Sequence, residues 1–104
     1  MKALVTGSMG FVGKHLVPEL LFTQDYKEVV GFDIKAGDDL KDYELIRDFL
    51  DRERPDEIYH LAAQAYVPES MSCPQRTFEV NVGGTINLLE AVKNLGIKTK
   101  IHLA

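Results

Sequence analysis

Three glycines at three-residue spacing, in Thr6-Gly7-Ser8-Met9-Gly10-Phe11-Val12-Gly13, constrain what this chain can fold into. They follow the apolar run Ala3-Leu4-Val5 and precede a run with helical spacing. A strand that ends in a glycine turn and re-enters as a helix leaves the first helical N–H groups unpaired and aimed at one spot, with the positive end of the helix dipole behind them. Such a place suits a phosphate. In this pattern Gly7 makes the tight turn, Gly10 keeps side-chain bulk away from a pyrophosphate, and Gly13 lets the helix lie close on the sheet. The spacing is G-x-x-G-x-x-G, not the G-x-G-x-x-G of the standard dinucleotide fingerprint, so the triplet alone also fits an ordinary glycine-rich turn.

Its surroundings favour the nucleotide. About 20 residues beyond the last glycine a second apolar run, Glu28-Val29-Val30-Gly31-Phe32-Asp33, finishes on a carboxylate. In a dinucleotide fold that acid sits at the carboxyl end of the second strand and accepts hydrogen bonds from the adenosine ribose hydroxyls. An acid there also repels a 2′-phosphate, which argues for NAD over NADP, although Lys35 works against that preference.

The chain has 104 residues, enough for one domain with a real core. Its net charge is -4, and its 12 basic side chains are scattered, so it carries no electrostatic footprint for nucleic acid. A nucleotide ligand needs none, because backbone amides carry much of the phosphate recognition. Cys73 is the sole cysteine, which excludes an internal disulfide and suits a reducing cytosol. No apolar run approaches the roughly 18 residues that cross a membrane, and the first one is too short for a signal peptide. These features place the protein in the cytoplasm.

Along the chain, Lys2 to Thr6 reads as a short buried strand. A helix over Phe11 to Phe22 follows, with Val12, Leu16, Leu20 and Leu21 as its apolar stripe and Pro18 predicting a kink or local break. After Asp33 comes a brief polar link, then a helix from Asp42 or Tyr43 to about Arg52, N-capped by Asp42 and ended by Pro55. The strand Glu57 to Ala63 closes on two small residues, Ala62 and Ala63, that leave a ligand room to approach the backbone. A long helix from Arg76 to Leu95 ends at Gly96; Phe78, Val82, Ile86, Leu89 and Val92 form its stripe, widened by Leu88, Ala91 and Leu95. Gly83 and Gly84 inside it each cost about 1 kcal/mol relative to alanine, which implies a close neighbour. Asn81, one turn earlier, has a polar group for either a backbone or a cofactor. Lys100 to Ala104 is a final strand. Strands alternating with helices give an α/β, Rossmann-type parallel sheet flanked by helices, with strand order 3-2-1-4-5 and a rudimentary third strand around Asp38 to Leu40.

Four pieces in order carry a family resemblance: the glycine segment, Asp39-Leu40-Lys41-Asp42, His60-Leu61-Ala62-Ala63-Gln64, and Asn81-Val82-Gly83-Gly84-Thr85 with Leu88-Leu89-Glu90-Ala91. Over essentially its whole length the chain resembles the N-terminal part of the extended short-chain dehydrogenases/reductases, the NAD-dependent epimerases and dehydratases of nucleotide sugars. Phe11-Val12-Gly13-Lys14-His15-Leu16-Val17-Pro18 and Ala63-Gln64-Ala65-Tyr66-Val67-Pro68 look most like the GDP-mannose 4,6-dehydratases and related GDP-sugar reductases. The resemblance implies that Gly7, Gly10, Phe11 and Val12 line the pyrophosphate, that Asp33 holds the adenosine ribose, and that Asp39 and Leu40 contact adenine. It implies that Leu61, Ala62 and Ala63 lie under the nicotinamide side with Asn81 nearby. It also implies a nucleotide-sugar substrate and a homodimer. His60 reads better as a core histidine than as a ligand, and His15 and His102 have no partners at metal-ligand spacing, so no metal is expected.

One departure is large. The family places a Ser or Thr directly after the strand that ends here at Ala104, and a Tyr-x-x-x-Lys pair on the next helix, where the tyrosine is the acid/base. Tyr26, Tyr43, Tyr59 and Tyr66 have no lysine four residues on. The expectation is therefore a cofactor-binding segment, inactive by itself, of a larger enzyme whose catalytic helix and substrate domain are not in this chain. The alternative is a dinucleotide-binding or interaction module without catalysis.

Overall fold

The computed structural model describes residues 1–23, 25–33, 36–61 and 83–103. Among the described residues four strands and three helices alternate: β1 (Lys2–Thr6), α1 (Phe11–Phe22), β2 (Glu28–Phe32), α2 (Tyr43–Glu53), β3 (Glu57–His60), α3 (Gly84–Leu95) and β4 (Lys100–Leu103). The strands form one parallel sheet in the order β2-β1-β3-β4. In register, β1 pairs Thr6 with Phe32 on one side and with His60 on the other. The carboxyl ends of β2, β1 and β3 therefore finish level, beside the glycine turn.

β1 is buried from Ala3 to Thr6 because both of its faces are covered. On one face Leu4, Phe32 and Ile58 pack against Ile46 and Leu50 of α2 and Leu88 and Ala91 of α3. On the other, Ala3 and Val5 meet Leu20 of α1 and Tyr26. A strand covered on both sides reads as a continuous apolar run, which is how Ala3-Leu4-Val5 stands in the sequence.

Several local expectations hold. Asp42 caps α2, its Oδ1 accepting from the Leu45 N–H at 3.2 Å. Gly96 ends α3 at φ 66, the left-handed conformation that terminates a helix with least strain in glycine. α1 runs unbroken through Pro18, so the expected break is absent.

Two stripes are corrected. Of the expected α1 stripe Leu20 is buried and Leu16 packs beside it, whereas Val12 and Leu21 are exposed, and Gly13 is buried with Leu20. In α3 the buried line is Gly84, Leu88 and Ala91, whereas Ile86 and Leu89 are exposed. Small residues decide this face, because they let the helix approach α2 and Leu40 closely; a Cβ on Gly84 would stand 3.1 Å from the Leu40 Cβ. Gly83 has no such neighbour within 4 Å. Phe78 and Val82, with the N-terminal part of the expected helix, lie outside the described residues.

The sheet order is the expected one without its rudimentary third strand. Around Asp39 the backbone bonds locally: the Asp42 N–H donates to the Asp39 carbonyl at 3.0 Å and the Lys41 N–H to Asp39 Oδ1 at 2.9 Å. A turn that satisfies its own amides has little left to offer a ladder.

Candidate functional site

The site is built at the carboxyl ends of β1, β2 and β3. The Gly7 N–H donates to the Phe32 carbonyl at 2.8 Å, extending the β1–β2 pairing by one bond into the turn. Gly7 then takes φ 69, which a side chain would resist, and its carbonyl accepts from the Gly10 N–H at 3.0 Å. Gly10 is the N-cap of α1 and brings no side chain to the helix start; the first turn contains no acidic residue. Among the described residues no side chain caps the start of α1, and the dipole behind its first amides stays unopposed within its own first turn. At Gly13 the reason for glycine is steric, since a Cβ would collide with the Gly7 carbonyl and stand 2.7 Å from the Ser8 Cα. Gly31 of β2 serves the same turn: a Cβ there would stand 2.9 Å from the Ser8 Cβ.

Asp33 is buried at 7% exposure, and its Oδ2 accepts from the Met9 N–H at 2.9 Å. Its carbonyl accepts from the Ala36 and Asp38 amides, which folds the following link back onto the strand end. The acid is thereby fixed to the glycine turn itself. This bond was not foreseen in the sequence, although an acid about 20 residues beyond a glycine turn is the signal that brings the two together. A diphosphate fits the uncapped amides of α1, and a ribose fits a carboxylate held at the edge of that turn, so the donor and acceptor set suits a dinucleotide.

The other expected residues are distributed as follows. Val12 is 41% exposed at the start of α1. The backbone of Phe11 opens that helix. Asp39 is partly buried and holds its own turn, while Leu40 packs against the core and its carbonyl accepts from Asn87 Nδ2 at 2.8 Å. Leu61 follows β3, its N–H donating to the Thr6 hydroxyl oxygen at 3.0 Å. Ala62, Ala63, Asn81 and Lys35 lie outside the described residues.

His60 has the core role expected of it. It is 1% exposed, with Nδ1 2.7 Å from Thr6 Oγ1 and Nε2 2.8 Å from Thr85 Oγ1. Burial pushes its pKa below the ordinary value, which keeps the ring neutral. The sequence carried a signal for this chain, since Thr6 and His60 both end strands and stand opposite each other in register.

A second polar group lies toward the other end of the sheet. Glu57 Oε2 accepts from the hydroxyls of Tyr26 and Tyr59, and His102 stacks on Tyr59 with ring centroids 4.4 Å apart. The bond to Glu57 raises the Tyr26 pKa, the reverse of what an acid/base tyrosine needs. Among the described residues no three His, Cys, Asp or Glu side chains come together to hold a metal ion, and no helix is long and apolar enough to cross a membrane.

Comparison with known proteins agrees with this geometry. The chain is 39% identical to the GDP-6-deoxy-D-mannose reductase of Pseudomonas aeruginosa, over 91% of this chain and 30% of that protein. It is 38% identical to a UDP-glucose 4-epimerase of Lacticaseibacillus casei, over 94% of this chain and 33% of the relative. It therefore spans about a third of the length of these relatives. The crystal structure of Thermus thermophilus UDP-glucose 4-epimerase, solved in complex with NAD, superposes with a TM-score of 0.80 at 38% identity, covering 93% of this chain and 35% of that one. The profile of one family, described as the NAD dependent epimerase/dehydratase family, matches residues 3–104. This chain belongs to the NAD dependent epimerase/dehydratase family.

Proposed function

We propose that this chain is the N-terminal cofactor-binding part of an NAD-dependent enzyme that acts on a nucleotide sugar. The observation that carries the proposal is the joint between the uncapped N-terminus of α1 and the buried Asp33, fixed by the Met9 amide. In this reading the amides around Gly7, Gly10, Phe11 and Val12 hold the diphosphate, and Asp33 holds the adenosine ribose. Asp39 and Leu40 flank adenine, and Leu61, Ala62, Ala63 and Asn81 lie along the nicotinamide half. When bound, NAD supplies a hydride acceptor. In this reading the residues of this chain bind and orient it, and the chain itself carries no Tyr-x-x-x-Lys pair to move the proton.

The reaction proposed is that of a GDP- or dTDP-sugar 4,6-dehydratase, a lyase, or of a related reductase. Relatives at similar identity act on GDP-sugars and on UDP-glucose by their names, so the base is the least constrained part of this reading. The sole cysteine, Cys73, supports a reducing, cytoplasmic setting. A homodimer is the assembly the family resemblance supports.

Titration calorimetry of the full-length protein with NAD and NADP tests the cofactor. Binding of NAD in preference to NADP is expected; the opposite order removes the role given to Asp33, and no binding of either removes the function. Incubating the protein loaded with NAD, and separately with NADH as hydride donor for a reductase, with GDP-, dTDP- and UDP-sugars then tests the reaction. Cofactor binding with no turnover of any of them would favour a non-catalytic module.

A further inference from the structure

Thr6, His60 and Thr85 form a hydrogen-bonded chain across three elements. Thr6 is the last residue of β1, directly before Gly7, and its hydroxyl oxygen also accepts from the Leu61 N–H. His60 closes β3, and Thr85 lies in the first turn of α3, beside the Gly84 that packs on Leu40. The chain thus passes from the strand that feeds the glycine turn, through the strand that leads to Leu61, to the helix that seats Leu40.

Packing alone does not call for this arrangement. Apolar side chains of similar volume at buried Thr6 and His60 and at half-buried Thr85 would fill the space without orphaned polar atoms. A neutral imidazole donates from one nitrogen and accepts at the other, so its tautomer fixes the roles of both hydroxyls together. What the polar chain adds over an apolar filling is a set of directional bonds, each fixing one element against the next.

We propose that His60 is a positioning residue for the dinucleotide, its two ring bonds holding the β1 end, the β3 end and the start of α3 in the spacing that the bound cofactor requires. The inference rests on the cofactor reading given above. The Thr6 bond, adjacent to Gly7, is the one that matters more for the diphosphate.

The test compares full-length wild type with His60→Phe, His60→Asn and His60→Gln by NAD titration, with thermal unfolding of each unliganded protein in parallel. Asparagine places an amide near the position of Nδ1 and keeps the Thr6 side; glutamine reaches toward Thr85. His60→Phe should bind NAD about tenfold or more weakly, because the end of β1 and the start of α3 lose the directional bonds that hold their spacing. His60→Asn should recover most of that loss and His60→Gln less, although the two unfold at similar temperatures. A folded His60→Phe that binds NAD within about twofold of wild type overturns the inference. So does an Asn variant no better than Gln, a comparison that still decides the matter if the Phe variant does not fold. If wild type does not bind NAD, the cofactor reading itself fails and takes this inference with it, whereas normal wild-type binding with unaffected variants removes the inference alone.

Discussion

Two single residues carry most of the chemistry proposed for the glycine turn, and each can be changed separately. Gly13 is glycine because the Gly7 carbonyl and Ser8 backbone occupy the space of a Cβ. Gly13→Ala gains about 1 kcal/mol of helix propensity but forces backbone apart, and overpacking of that kind costs about 1–3 kcal/mol. The expected outcome is a net loss of stability in chemical denaturation, together with weaker NAD binding; an alanine variant as stable as wild type would show that the turn yields freely. Asp33 acts both on Met9 and on the proposed ribose. Asp33→Asn keeps an acceptor for the amide but removes the charge that repels a 2′-phosphate, so the ratio of NAD to NADP affinity should fall toward one. An unchanged ratio would place cofactor choice elsewhere.

Among the elements, α2 offers the simplest check, because its N-cap is a single side chain accepting from Leu45. Asp42→Ala should cost about 1 kcal/mol in urea denaturation, with NAD affinity unchanged, since the lost carboxylate serves Leu45 and the backbone bond of Asp42 to Asp39 is kept. What was legible in the sequence is instructive here. Asp42, Gly96 and the glycine turn act through backbone groups a few residues away, so their roles follow from spacing alone. The faces of α1 and α3 were read in part: Leu16, Leu20, Leu88, Ala91, Val92 and Leu95 pack as expected, whereas Val12, Leu21, Ile86 and Leu89 are apolar yet exposed and the packed lines also run through Gly13 and Gly84. Hydrophobicity marks what can be buried, and small residues mark where elements come closest. The third strand failed for a related reason, since Asp39 satisfies its own turn. The bonds of Asp33 to Met9 and of His60 to Thr6 and Thr85 join residues 24, 54 and 25 positions apart; sheet register brings Thr6 to His60, and the packing of the glycine turn and of α3 on the strand ends brings the other two together.

At the scale of the whole molecule, two buried or half-buried titrating groups tie separate segments together, and both make the fold sensitive to acid. His60 faces the uncharged hydroxyls of Thr6 and Thr85, and burial lowers its pKa below the ordinary 6.5. Below that pH the unfolded chain takes up a proton before the folded one, so stability should fall as pH drops from about 6.5 toward the folded value. Glu57 is lowered from 4.5, chiefly because the Tyr26 hydroxyl donates to it. Its contribution is present above the ordinary carboxylate pKa and is lost as pH falls through the folded one. Unfolding midpoints measured from pH 8 to pH 3 should therefore decline in two windows, and His60→Asn should remove the upper one; a decline near pH 6 that survives this substitution would assign it to another group.

The proposed coenzyme lies across the carboxyl ends of β1, β2 and β3, on the first amides of α1 and on Asp33 fixed beside them. Crystals of the full-length protein soaked in NAD test this most directly. The expected map has the diphosphate on the amides between Gly7 and Gly13 and the adenosine ribose on the Asp33 carboxylate. Coenzyme bound at another place, or a glycine turn without density in crystals of protein that binds NAD in solution, would contradict it.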